Sequence, residues 1–262
     1  MTEVRDIARM YGLTEIGACR YDVQRRPLLS CRAAARLPDE ARTVIVCAFP
    51  YAFEDARRRN LSRYACVPDY HKAAGAVLGA LAADLAGRFP DERFEPFMDN
   101  SPLPEVACAV AAGLGVRGDH GLLIHPRFGS FVFLGCIVTT MALPASEEYG
   151  ECRHCGACAA ACPGGCLPGE ERATCASALT QQKRAWTPEE EAIVRRAASV
   201  WGCDRCQEVC PMNREAHCAP HPCFTWYEPW LDKVETLEDK AYGWRPATVI
   251  ERNLRLFSEI EG

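Results

Sequence analysis

Two cysteine runs constrain this chain more than anything else in it. The first is Cys152, Cys155, Cys158 and Cys162, followed by Pro163. The second is Cys203, Cys206 and Cys210, followed by Pro211. Three thiolates two residues apart can wrap one [4Fe–4S] cube from a single tight loop, and the cysteine before proline points away to a neighbouring cube. Both runs end in Cys-Pro, so each is expected to send its last thiolate to the other's cluster. Cluster one then takes Cys152, Cys155, Cys158 and Cys210. Cluster two takes Cys162, Cys203 and Cys206 and lacks one ligand. Only Cys166 and Cys175 stand between the runs. Cys166 follows Cys162 by four residues and is expected to point elsewhere, so Cys175 is assigned as the eighth ligand. Structural zinc is the competing reading. Zinc wants two cysteine pairs, and a run of this length leaves surplus thiolates.

A length of 262 residues suits one sizeable domain plus a small one, and 48% hydrophobic residues suit a globular chain. No stretch approaches the eighteen apolar residues of a membrane-spanning helix, so no membrane partner is expected. The start, Met1-Thr2-Glu3-Val4-Arg5-Asp6, lacks the apolar core of a signal peptide. Seventeen cysteines point to a reducing compartment; the expected location is cytoplasmic. The cysteines outside the clusters (Cys19, Cys31, Cys47, Cys66, Cys108, Cys136, Cys166, Cys218, Cys223) read as small hydrophobes. A net charge of −5 excludes a strongly basic nucleic-acid footprint. The one basic run, Arg57-Arg58-Arg59 with Arg63, reads as a solvated loop unless a polyanion meets it.

Ahead of the cysteines the pattern is mixed. A helix is expected over 3–11, a short strand over 15–19, and a buried central strand over 43–49, a β-branched run ended by Pro50. Residues 28–41 stay ambiguous. Asp69 caps a long helix that runs through Leu85 and is stopped by Gly87 and Pro90. A strand over 94–98 leads to Asp99, and Ser101-Pro102 is expected to start a helix reaching Ala112. Gly113-Leu114-Gly115-Val116-Arg117-Gly118 spells the dinucleotide fingerprint, but a helix precedes it where a strand is required. Gly113 therefore reads as a helix stop. Two strands, 122–124 and 131–134, flank the turn 125–130. Residues 144–150 form a linker. Thr187-Pro188 starts a helix running to Ser199, and a last helical segment covers 248–259.

Several blocks occur in an order that resembles the epoxyqueuosine reductase family. They are Arg63-Tyr64, Asp69-Tyr70-His71-Lys72, Met98-Asp99-Asn100-Ser101-Pro102, Ala112-Gly113-Leu114-Gly115, and Leu122-Leu123-Ile124-His125-Pro126. Gly129-Ser130, Phe133-Leu134-Gly135 and the twin cysteine runs follow, with Cys175-Ala176-Ser177-Ala178-Leu179-Thr180-Gln181 between the runs. Gly202-Cys203-Asp204, Pro211-Met212-Asn213 and Glu251-Arg252-Asn253-Leu254 complete the set.

The resemblance implies an α+β architecture: a mixed α/β corrinoid-binding domain (1–145), a ferredoxin-like two-cluster domain (146–218) and a C-terminal helical extension (219–262). It implies two [4Fe–4S] clusters, a cobalamin between the domains, an external donor of ferredoxin or flavodoxin type, and reduction of epoxyqueuosine to queuosine in tRNA. Asp99 would be the proton donor, and Tyr70, His71, Asp99 and Ser177 would face the corrinoid. Burial there would raise the Asp99 pKa toward neutrality. Without the resemblance, Asp99 reads as a turn or helix cap, His71 as a structural hydrogen-bonder and Ser177 as a helix cap. Two other functions fit the cysteines: a ferredoxin-like electron carrier without corrinoid, and a corrinoid reductase for a small molecule.

Gly118-Asp119-His120 stands where the family has Gly-Lys-Asn, and Cys136 where it has Glu. The family's C-terminal helical repeats do not appear in this sequence. Transfer RNA binding is therefore expected to be weak and lost quickly with salt.

Overall fold

Continuous apolar strands need cover on both faces, and the front half of the chain supplies it. In chain order it forms α1 (Thr2–Met10), β1 (Ile16–Arg20), β2 (Thr43–Pro50), α2 (Tyr70–Arg88), β3 (Phe94–Met98), α3 (Glu105–Ala111), β4 (Val116–Arg117), β5 (Leu123–Ile124) and β6 (Val132–Thr139). This computed structural model describes residues 1–55, 57–146, 150–169 and 172–258. The main sheet has the order β1-β2-β6-β3, antiparallel throughout, with Ile45 opposite Ile137 and Phe97 opposite Cys136.

Every residue of β2 is buried. Ile45, Cys47 and Phe49 pack with Val4 and Ala8 of α1 and Leu78, Leu81 and Leu85 of α2. Their alternates Val44 and Val46 pack with Cys108, Ala109 and Ala112 on the α3 side. Each fully buried Leu, Ile or Phe in these layers contributes roughly 1.5–3 kcal/mol of transfer free energy. The sheet is thus a rigid floor, and the site hangs from its edges.

Most helix ends follow their sequence signals, though α2 runs through its expected stop at Gly87 to Arg88, and one start is an exception. The Asp69 carboxylate accepts the His71 backbone N–H at 3.1 Å and caps α2. At the end of α3, Gly113 is left-handed (φ 72°). Its N–H donates to Val110 O, and the Leu114 N–H donates to Ala109 O. This is a Schellman stop, and strand β4 follows it. The exception is the start of α3, which begins at Glu105, not at Ser101. Prolines 102 and 104 disfavour helical backbone at the residue before each of them. Ser101 Oγ instead accepts the Leu103 N–H at 3.0 Å in a turn.

Two strand expectations also change. The run beginning near Phe131 extends to Thr139 and is an interior strand of the sheet. Leu123–Ile124 pairs with β4 in a separate two-stranded ribbon.

The cysteine half carries only short elements: α4 (Ala157–Ala160), α5 (Ala176–Thr180), α6 (Pro188–Ala197), α7 (Arg205–Glu208) and, last, α8 (Ala247–Ser258). Thr187 and Glu190 make a full capping box on α6, which ends at Ala197 ahead of a left-handed Ala198. Residues 219–246 form turns and irregular chain, so the helical part of the C-terminal segment is α8 alone. Buried Asn253 of α8 donates to Thr180 O and Val200 O at 2.8 Å each, tying the tail to the end of α5 and to the segment just before the second cysteine run. Part of the expected linker (147–149) and the expected last helical residue, Glu259, lie outside the described residues.

Candidate functional site

Two polar clasps hold the cysteine half against the front sheet. In the first, Asn213 Oδ1 accepts the Ser130 N–H, while its Nδ2 donates to Ser130 Oγ and to Gln207 O, all at 2.8 Å. In the second, buried Asp204 accepts the Arg63 backbone N–H at 2.7 Å and lies 3.7 Å from Arg59. Gly202 makes this approach possible. A Cβ there would lie 2.0 Å from Ser62 Oγ.

Between the clasps lies a cavity of about 660 Å³. One wall is the end of the main sheet, with Ser130, Val132, Phe133 and Leu134. The opposite wall is the cysteine half, including Cys162, Cys175, Cys203 and Cys206. Tyr64, Tyr70, Ser177 and Gln181 also line it.

The thiols lie in two sets, and the second takes in Cys166 beside Cys162, Cys175, Cys203 and Cys206. The Cys210 thiol feels the charges of Cys152 and Cys155, and Cys158 that of Cys152. Cys203 and Cys206 feel Cys175 and Cys162. Burial pushes the Cys203 and Cys206 thiols up to about 12. A bound metal, rather than solvent pH, is what can deprotonate them. Cys166 does not point elsewhere as expected: its Sγ lies 3.5 Å from Cys162 Sγ, and it also lines the cavity. The turn Pro163-Gly164-Gly165 brings it back, an effect that counting residues does not show. Asp119, Cys152 and His154 also converge, with ligand atoms within 4.8 Å of one another.

Tyr70, His71 and Asp99 form one unit. The Tyr70 hydroxyl donates to Asp99 Oδ2 at 2.9 Å. His71 Nε2 lies 2.9 Å from the same oxygen, and its Nδ1 lies 2.7 Å from Asp69 Oδ1. Tyr70 stacks on His71 and on Phe133 of the cavity wall, so it links the cavity to Asp99. The two carboxylates, Asp69 first, raise the His71 pKa to about 9, leaving an imidazolium at neutral pH.

The Asp99 pKa is lowered, against the expectation from burial. The His71 hydrogen bond outweighs desolvation, and Tyr70 adds to it. The Asp99 side chain is 56% exposed, too open for desolvation to dominate. The proton at this site therefore rests on His71. Asp99 caps no helix; its backbone is left-handed (φ 59°) at the end of β3. Ser177 is the second residue of α5, not its cap, and the Gln181 side-chain amide donates to its carbonyl at 3.1 Å.

Three features were hidden in the sequence. Glu105 looks like an ordinary first-turn acid, yet burial and the Asp99 charge push it up to about 8. His120 is 4% exposed and burial lowers it to about 4. Its Nδ1 accepts the Leu122 N–H, so the neutral ring carries its proton on Nε2. The basic run, finally, is largely spent. Arg59 pairs with Glu208, Arg57 pairs with Asp55, and the Arg58 and Arg63 guanidiniums lie over Trp230 and Phe131. No sequence signal separates these arginines from free ones.

Comparison with known proteins sets this geometry in context. Residues 151–213 match the 4Fe-4S double cluster binding domain, and residues 32–100 match the domain described as epoxyqueuosine reductase QueG. Epoxyqueuosine reductase of Listeria monocytogenes is 34% identical over 224 residues, covering 78% of this chain and 58% of its own. That of Gloeobacter violaceus is 33% identical over 230 residues, covering 80% of this chain and 72% of its own. A crystal structure of epoxyqueuosine reductase with an epoxyqueuosine-modified tRNA stem loop superposes with a TM-score of 0.82. It is 23% identical and covers 97% of this chain and 80% of that one. The chain spans a little under three-fifths of the Listeria protein.

Proposed function

The chain belongs to the epoxyqueuosine reductase family, and from that premise we propose that it is a corrinoid-dependent iron–sulfur reductase acting on epoxyqueuosine in tRNA. One observation carries the reading. The same cavity is lined on one side by the thiols of the second group and on the other by Tyr70, which hydrogen-bonds Asp99. Electrons and protons can reach one shared cleft from its two walls.

The chain carries a double [4Fe–4S] domain. In our assignment Cys152, Cys155, Cys158 and Cys210 hold one cluster, and Cys162, Cys175, Cys203 and Cys206 the other. Residues 1–145 form the corrinoid and substrate domain, 146–218 the cluster domain and 219–262 the C-terminal segment. The cavity suits a corrinoid. It is open on one side, Tyr51, Tyr70 and Phe133 present rings to it, and Ser177, Gln181 and Tyr64 offer polar atoms for the cofactor's amide arms. A bound corrinoid would supply a strongly reducing cobalt centre at this place.

The protein's own residues do the rest. Taking an epoxide oxygen off as water consumes two electrons and two protons. The His71 imidazolium, hydrogen-bonded to Asp99, stores one proton behind Tyr70, and a proton delivered through Asp99 is drawn from that store. Phe133 and the stacked Tyr70 ring form the wall between the cavity and this pair, and the second proton comes from solvent that reaches the open Asp99 carboxylate. The electron donor we assign is a ferredoxin- or flavodoxin-type protein, and the location is the cytoplasm.

The test is anaerobic turnover of an epoxyqueuosine-bearing tRNA stem loop with cobalamin and such a donor. Conversion to the deoxygenated nucleoside is expected. A preparation holding both clusters and cobalt that yields no product would overturn the substrate assignment.

A further inference from the structure

Glu105 is a half-buried residue with a buried carboxyl oxygen, and this mechanism leaves it unused. It opens α3, at the far end of the short loop that begins with Asp99. Its carboxyl lies beside the Ser101 hydroxyl and the Asp99 backbone amide, both of which favour its charged form. Its Oε1 is buried and has no hydrogen-bond partner. The titratable groups facing it are Asp99 on the loop, His71 at the start of α2 and Cys136 on β6. Cys136 is fully buried with its pKa pushed well up, so it stays a neutral thiol. Glu105 and Asp99 are thus two neighbouring carboxyls in opposite environments, one dry and one salt-bridged. Paired acids pushed apart in this way take different roles.

The Asp99 backbone is left-handed without being glycine, a conformation costing on the order of 1 kcal/mol or more that persists only where neighbours impose it. Glu105 is one such neighbour. We propose that Glu105 is a positioning residue. Its neutral carboxyl seats the 99–104 loop so that Asp99 meets Tyr70 and His71, and its ionisation loosens that loop.

The sign follows from linkage. Glu105 titrates near 8 when the loop is seated, against about 4.5 for an ordinary solvated Glu. The seated state is favoured at low pH and loses that advantage progressively until pH passes 8. His71, raised to about 9, works in the same direction: its contribution is full below its ordinary value of about 6.5 and is lost as pH passes 9.

The inference rests on the reading of Asp99 as the residue that delivers the proton. Its test needs no turnover, so the two fail separately. Amide hydrogen exchange of a peptide covering residues 99–104 is followed from pH 7 to 9 in the cluster-loaded chain and corrected for intrinsic rates. Wild type is expected to lose about tenfold more protection over this range than Glu105→Gln, the remaining loss being the share of His71. Glu105→Ala should be less protected than wild type already at pH 7, with Gln restoring what Ala loses. Identical pH dependence in wild type and Glu105→Gln would overturn the proposal, as would full protection in Glu105→Ala. If the alanine variant does not fold, the glutamine comparison decides alone.

Discussion

The two cysteine groups come from nearly the same motif and sit in different surroundings. Around the first, Cys155 is exposed beside the Asp119–His154 pair, while Cys158 and Cys210 are buried away from the cavity lining. Around the second, the thiols face the cavity, and those of Cys203 and Cys206 are driven far up by burial. Spacing decides which thiols meet. The clasps at Asn213 and Asp204 decide which group abuts the chemistry. On this reading electrons enter at the first group and leave through the second, which lines the cavity.

The sharpest way to break the contrast is at the eighth ligand. Cys175→Ala should remove the second cluster, halving the iron to about four per chain, and abolish turnover. Cys166→Ala should keep about eight irons, although its thiol stands beside Cys162. Iron analysis with electron paramagnetic resonance separates the two. The reverse pattern would make Cys166 the ligand.

A smaller effect is expected across the cavity from the clusters. Asp99→Asn keeps the shape of the side chain but removes the carboxylate that couples His71 to Tyr70. Turnover should fall by roughly 10²–10⁴, the usual worth of positioned acid–base catalysis, with iron content and folding unchanged. The His71 pKa, read by NMR, should drop as one of its two carboxylates disappears. Unchanged turnover would move proton delivery to another group and leave Asp99 a structural residue.

Much of this was legible because local physics decided it. The β-branched run at 43–49, the Asp69 cap, the Gly113 stop and the Thr187–Glu190 capping box all folded as their chemistry dictates. The cysteine spacing did not show that Cys166 returns beside Cys162. What stayed hidden depended on contacts distant in sequence. Nothing near Glu105 announces its burial, and nothing near Arg59 announces Glu208. The low Asp99 pKa needed the position of His71, twenty-eight residues away along the chain. The late start of α3 was readable in principle, since Pro102 and Pro104 flank Leu103, but the capping signal at Ser101 masked it.

On this reading the cavity beside the second cysteine group is a corrinoid site. Iron and cobalt per chain, measured after anaerobic preparation with added cobalamin and removal of the excess, test it most directly. The account predicts about eight irons and about one cobalt, with cobalt lost when Ser177 and Gln181 on the cavity wall are replaced by bulky residues. About eight irons with no cobalt would contradict it and leave an electron carrier whose cavity serves another ligand.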